Sequence, residues 1–586
     1  TSHKHARALN YSLFGNNMCN SGAALGRDAT NQVLWLRTTG LSNLRQQQGG
    51  AMKGECLSYS AVPHATPLFL DFLYHFPKVR QFFRRPPTTR DWLGEEAASL
   101  RYDDARRQAV AAVLERQNRG WNASAATLAN IERFRAGASA VVTGQQVGLF
   151  GGQLMGLLKA LAAARLAADS TARGVECVPV FWMATEDHDL AEINHVLVPA
   201  DDGGGLRSFV SSSHGIPDAP VGEIRLDEEI DLLVAEVVKL LPESEAAGWL
   251  RGAYRQGETF GSAFAHLYAH LLGEFGVVLL DAADPELDKI GATVYRATVA
   301  GAAEINQALI ERGAELRAAG YHEQVKVTPS STLLFHRQNG ARVPVHAANG
   351  GFIAGEMKFS SDELQARVAA TPEEFSPNAL LRPVLQDYLL PTVAYFGGPS
   401  EVAYFAQAAV VYEQVLGRST PILPRLSATL VDARAQRLLA KYDLKFTDVM
   451  VGSEQFAQEL AERTLPSGLQ RQFEDTRQQL ESALSGIRES LVRLDPTLED
   501  TAVRAHSKIF YQIENLQGRA AATLSRRNAE VSQHAEWLSS MLFPNKTLQE
   551  REIAGIWFVA RQGTELLRRI YEAAQDACPD HQVLYL

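Results

Sequence analysis

Four ionisable residues stand consecutively at Glu186, Asp187, His188 and Asp189, after Thr185 and the apolar run VPVFWMA (Val178 to Ala184). Charges this close shift one another's proton affinity, so the run can hold a general base poised near neutral pH. If the apolar run is a buried strand, these candidate catalytic residues lie at its carboxyl end, where open α/β sheets bind ligands. Asn194 and His195 follow one to two turns further on if the segment is helical. A structural reading competes: Thr185 caps a helix, and Glu186 and Asp187 suit the positive end of its dipole. That accounts for the acids but not for His188 or the later Asn-His pair. His188, Asp189 and His195 are metal-ligand types, but their spacing matches no standard site, and no metal is expected.

Two further sets accompany this one. Gly144, Gly148, Gly151, Gly152 and Gln153 surround a strand-to-helix turn, where glycines let a phosphate approach backbone N–H groups at a helix N-terminus. Gln145, Gln146 and Gln153 add neutral donors. The competing reading is a tight connection with no ligand. Lys159, nearly two turns into the following helix, is expected to point elsewhere. In the third set Arg382, Gln386 and Asp387 share a helical turn, and Gly397-Gly398-Pro399 leads into Glu401, Tyr404 and Gln407 on one helix face. A guanidinium pairs bidentately with a carboxylate, which makes Arg382 a carboxylate-binding candidate unless it pairs with Asp387. Glu401 suits an ammonium. His322, Gln324, Lys326 and the segment Pro424-Arg425-Leu426-Ser427 are weaker signals and carry no assignment.

The elements that must position these residues follow from periodicity. Ala138 to Val142 and Val178 to Ala184 read as buried strands, with a strong helix former from Gln153 to Ala168 between them; this is the unit of a doubly wound α/β sheet. Val277 to Leu280 and Val393 to Phe396 add strands. The run TLLFHRQNGARVPV carries Asn339-Gly340 as a hairpin turn in an inserted β-rich piece. Phe473, Leu480, Ile487 and Leu494 form one heptad column and Leu484, Leu491 and Leu498 the other, with Arg477 as the exception. A second helix aligns Ile509, Ile513, Leu516 and Ala520. The pair reads as an intramolecular hairpin, a dimerising coiled coil, or both.

Length and composition bound the rest. A chain of 586 residues calls for two to four domains, and 46% hydrophobic with 21% charged residues is ordinary for a globular protein. The net charge of -10 disfavours nonspecific nucleic-acid binding. Cys19, Cys56, Cys177 and Cys578 are far apart and show no CxxC or zinc spacing, so no disulfide framework is expected and a reducing cytoplasm is the better setting. The uncharged stretch from Ala136 to Leu158 is broken by glutamines and glycines, and no membrane span is expected. Residues 1–51 lack an apolar signal region and helical periodicity; they read as a disordered leader or non-native extension, with Met52 as the expected native start. The expected organisation is then a helical arm over 52–136, a core over 137–430 with insertions at about 200–260 and 315–375, and a helical domain over 431–586 that packs its end back on the core.

Five blocks carry a family resemblance: TGQQVGLFGGQL (Thr143 to Leu154), FWMATEDHDLAEINHV (Phe181 to Val196), SPNALLRPVLQDYLLPTVAYFGGPSEVAYFAQ (Ser376 to Gln407), LFPNKTLQER (Leu542 to Arg551) and the terminal HQVLYL. Together, over about Met52 to Leu586, the chain resembles the cysteine ligase family of bacillithiol biosynthesis. The resemblance implies an α/β, Rossmann-like doubly wound core similar to class I synthetases, with connecting-peptide insertions and a C-terminal α-helical coiled coil that forms homodimers. It implies L-cysteine and glucosaminyl malate as substrates, Arg382 at the malate carboxylates, and ATP for carboxylate activation. Where those synthetases carry His-x-Gly-His, this chain reads Phe150-Gly151-Gly152-Gln153. The alternative it leaves is a catalytically altered nucleotide-binding scaffold or regulator of thiol metabolism.

Overall fold

The computed structural model describes residues 52–200, 205–348, 350–527, 529–574 and 578–586, and the leader expected over 1–51 lies outside them. Ten strands organise the site: β1 (Lys53–Leu57), β2 (Ser139–Gln145), β3 (Cys177–Met183), β4 (Val278–Asp281), β5 (Ser331–Gln338), β6 (Ala341–Ala348), β7 (Thr392–Gly397), β8 (Ile422–Pro424), β9 (Ala428–Val431) and β10 (His581–Tyr585). The central sheet has the order β8-β7-β2-β3-β4 and is parallel throughout. Its strands are continuous apolar runs because helices cover both faces, which is why β3 is buried at every residue. From β2 the chain adds β3 and β4 on one side, then crosses to β7 and β8 on the other. The strand order therefore reverses between β2 and β7, and the crevice at their carboxyl ends is the switch point where such sheets bind ligands.

The uncharged stretch from Ala136 resolves into β2, a turn and the start of α1 (Met155–Ala172), which packs on the sheet with most of its residues buried. Among the described residues no helix is long and apolar enough to cross a membrane. The inserted β-rich piece is an antiparallel five-stranded sheet built around β5 and β6. Asn339 and Gly340 both take positive φ (51° and 85°) in its hairpin turn, as the sequence predicts for Asn-Gly.

A second sheet, β1-β10-β9, ties the two ends of the described chain together. It also joins Cys56 and Cys578 as a disulfide, against the expectation from their spacing; their separation of 522 residues hides a proximity that only the β1–β10 pairing creates. The strand β1 also precedes the helices of the arm, which periodicity alone reads as wholly helical. The closing blocks LFPNKTLQER and HQVLYL lock this sheet to the core. Gln549 exchanges hydrogen bonds with the Leu430 backbone, and Ser427 donates to Glu550 while its hydroxyl lies 2.7 Å from His581 Nδ1. Arg425 pairs with Glu550 at 2.5 Å, both fully enclosed. The segment Pro424 to Ser427, which carries no assignment from sequence, is thus a buried structural clamp.

Helices α2 (Ser467–Leu494) and α3 (Glu499–Arg527) form the heptad hairpin. Arg477, the heptad exception, donates to Gln517 on the facing helix at 2.8 Å, so it is a polar cross-link within the pair. Among its described residues α2 buries none, and Ile487, Leu494, Val503, Ile509, Tyr511 and Leu516 stay exposed on the hairpin.

Candidate functional site

At the end of β3 the chain does not continue as a helix. Thr185 is no cap; its hydroxyl donates to Asp281 at the end of β4, which anchors the turn across the sheet edge. Asp189 caps instead, on a single helical turn, Leu190–Ile193, and His195 opens a strand. The helical placement of Asn194 and His195 is therefore corrected. His195 Nδ1 faces the Ala191 carbonyl at 3.0 Å, and the ring lies apart from the hydrogen bonds around His188.

Glu186 is 7% exposed and forms no hydrogen bond with any described residue. Burial pushes its carboxyl up to about 7, although the positive charges of Arg342 and Arg382 pull it back. Asp187 accepts from Gln146 Nε2 at 2.6 Å and from the His188 backbone N–H at 2.7 Å. Gln146 Nε2 also donates to Glu192 at 2.9 Å, and burial pushes Glu192 up to about 7 as well. The turn is packed from below by Gly222, where a Cβ would lie 2.4 Å from Thr185 Cβ. Gly222→Ala is expected to displace this turn, with a loss of about 1–3 kcal/mol in stability measured by denaturant titration and a fall in turnover.

The second cluster sits at the switch point. Lys159 does not point away: it reaches back beneath β2, fully buried, and spends its three N–H groups on Glu401 (2.6 Å), the Gly144 carbonyl (2.7 Å) and Gln145 Oε1 (3.2 Å). Glu401 also accepts from Tyr395 (2.6 Å) and from the Gly398 N–H (2.7 Å). Burial alone would raise Glu401, but the lysine and these donors outweigh it and hold the carboxyl below its ordinary range; burial draws Lys159 down to about 8. Glu401 is thus already paired, which corrects its reading as a free ammonium site. Arg382 makes no ion pair with Asp387; it donates to Tyr404 (2.6 Å) and Gln386 (3.1 Å) and stays half-buried, open to a ligand. Asp387 accepts from Gln386 and Tyr412, and Gln407 bonds both the N–H and the carbonyl of Val325.

The glycine turn is closed on itself. Gly151 and Gly152 take positive φ (84° and 67°), and the N–H groups of Gly151, Gly152 and Leu154 are spent on Tyr254 and Gly148, on Leu149, and on Ile553. Gly148 packs so closely that a Cβ would meet Gly152 Cα at 2.9 Å. This corrects the expectation that these glycines present free donors to a phosphate; Gln153 is bridged to Ala554.

Two residues of the site carry no assignment from sequence. Lys159 had a signal: it is the one charge in MGLLKALAAA, and a lysine in a fully apolar helix must find a partner. Arg342 had none. It lies on β6, 188-to-342 contacts being made only because the inserted hairpin folds over the end of β3, where its Nη1 lies 3.3 Å from His188 Nδ1.

The chain as a whole is similar to known proteins. A family model described as Bacillithiol biosynthesis BshC, N-terminal Rossmann-like domain, matches residues 52–426, and one described as the BshC C-terminal coiled-coil domain matches residues 428–586. A protein of Koribacter versatilis named "Putative cysteine ligase BshC" is 47% identical over 530 residues, 90% of this chain and 99% of that protein. Proteins of the same name from Solibacter usitatus and Salinibacter ruber are 37% identical (90% of this chain, 99% of that protein) and 32% identical (88% and 96%).

Proposed function

The chain belongs to the BshC family of bacillithiol biosynthesis, and from that premise we propose that it is a ligase joining the carboxyl group of L-cysteine to the amine of glucosaminyl malate. The observation that carries the reading is Glu186: a largely buried carboxyl to which no described residue donates a hydrogen bond, at the carboxyl end of a central strand, pushed up by burial to about 7. A group of that kind accepts the proton that an ammonium must lose before the amine attacks a carbonyl. As the C–N bond forms, the activating group leaves the cysteine carbonyl and the amine proton passes to Glu186. Arg382, half-buried beside Tyr404, supplies a guanidinium for the malate carboxylates.

A free carboxylate does not condense with an amine in water, so activation must be supplied, and we propose ATP as its source. The closed glycine turn, its N–H groups spent within the protein, does not fit a triphosphate. Purified protein incubated with cysteine, glucosaminyl malate and ATP is expected to give the thiol product by mass spectrometry, with AMP or ADP identifying the activation route. Absence of product from folded protein that binds both substrates sinks the ligase reading and favours the scaffold.

We also propose that the chain forms a homodimer through the heptad hairpin, whose apolar residues Ile487, Leu494 and Leu516 are exposed. Ile487→Glu with Leu516→Glu is expected to give a folded monomer in light scattering; an unchanged mass would place the dimer, if any, elsewhere.

A further inference from the structure

We propose that Arg342 is a positioning residue that fixes the tautomer of His188, so that this imidazole serves the reaction as an Nε2–H hydrogen-bond donor and not as the proton acceptor. Arg342 is 7% exposed and held on every side. Its Nε donates to Ser376 Oγ at 2.9 Å and its Nη2 to the Pro377 carbonyl at 2.8 Å. The guanidinium carbon lies 4.3 Å from the centre of the Phe335 ring, and the backbone N–H donates to the Asp218 carbonyl at 2.9 Å. These contacts aim Nη1 at His188 Nδ1, 3.3 Å away.

A guanidinium has donors and no acceptor, so the nitrogen it faces must offer a lone pair. A neutral imidazole carries one ring proton, which then sits on Nε2. The acceptor that could hold a proton on Nδ1 is Asp187, but its Oδ1 lies 3.7 Å from Nδ1 and already accepts the His188 backbone N–H at 2.7 Å. The other charged groups of the same segment are Glu186 and Asp189; Asp189 is committed to capping the Glu192 N–H, and Arg337 on β5 pairs with Glu223 at 2.6 Å. Phe335 flanks the imidazole with ring centres 5.9 Å apart and adds no charge.

The consequence is a division of labour between neighbours. Glu186, to which no described residue donates a hydrogen bond, takes the proton of the attacking amine. His188 Nε2–H is free to donate to the carbonyl oxygen as negative charge develops on it, the kind of preorganised donor that stabilises tetrahedral intermediates. Burial of Glu186 supports the same assignment, since it places that carboxyl in the range of a base at neutral pH. The catalytic role rests on the ligase reading; the tautomer does not, because it is a property of the unliganded chain.

The test separates the two. In the full chain labelled with ¹⁵N-histidine, with His188 assigned by its loss in His188→Gln, long-range ¹H–¹⁵N spectra are expected to show an unprotonated Nδ1 and a protonated Nε2. Arg342→Met is expected to move that one residue toward the Nδ1–H form or to fast exchange, and Arg342→Lys to restore the original pattern. A protonated Nδ1 in the unsubstituted chain, or a pattern indifferent to both arginine variants, overturns the proposal. In the ligase assay His188→Gln, which keeps an N–H donor, is expected to retain at least about tenfold more kcat than His188→Ala. Equal losses overturn the donor role while leaving the tautomer standing, and a correct tautomer in a chain that makes no product counts against the ligase reading alone.

Discussion

Glu186→Gln is expected to lower kcat/KM by about 10²–10⁴-fold while leaving the fold more stable above pH 7. The two effects have one cause. The carboxyl ionises near 4.5 in the unfolded chain but only at about 7 in the folded one, because burial opposes the charge. A raised carboxyl favours the folded state fully below the unfolded value, and that advantage is lost as pH rises through about 7. Above it the folded protein carries a buried charge costing on the order of 3 kcal/mol, which glutamine removes. Denaturant titrations at pH 5 and pH 8 check this: the variant should gain relative to the parent at pH 8 and not at pH 5. A variant that loses stability equally at both values would mean that Glu186 is held by a partner and is no base.

The opposite outcome is expected for Lys159→Met. It leaves Glu401 buried beside β2 with its nearest cation gone, and breaking one partner of an enclosed pair typically costs about 3–5 kcal/mol. The Gly144 carbonyl and Gln145 also lose their donor, so the carboxyl end of β2 loosens and activity falls with stability. Lys159→Met combined with Glu401→Gln should recover much of the stability but not the activity. The measurement is a double-mutant cycle by denaturant unfolding; additive losses would show that the pair is not coupled.

The contrast between these neighbours shows what the sequence reveals. Strands such as VPVFWMA and the Asn-Gly hairpin declare themselves because their periodicity and turn chemistry are local. The run Glu186 to Asp189 was legible because adjacent ionisable residues after a buried strand are unusual, though its backbone path was not: Thr185 has a better partner in Asp281 than a helix cap offers. Gly144 to Gln153 looked like a phosphate loop because glycine content reports backbone freedom, not which N–H groups are already used. Spacing could not reveal Arg342 against His188, Lys159 under Glu401, or Cys56 beside Cys578, since each contact depends on how distant elements stack.

The Cys56–Cys578 link closes almost the whole described chain into a covalent ring, its two ends separated by 522 positions in sequence. A single proteolytic cut in a surface loop then opens the ring but releases nothing: the two pieces migrate as one molecule until a thiol reduces the link. Comparing nicked protein with and without reductant would therefore read the oxidation state of this pair directly.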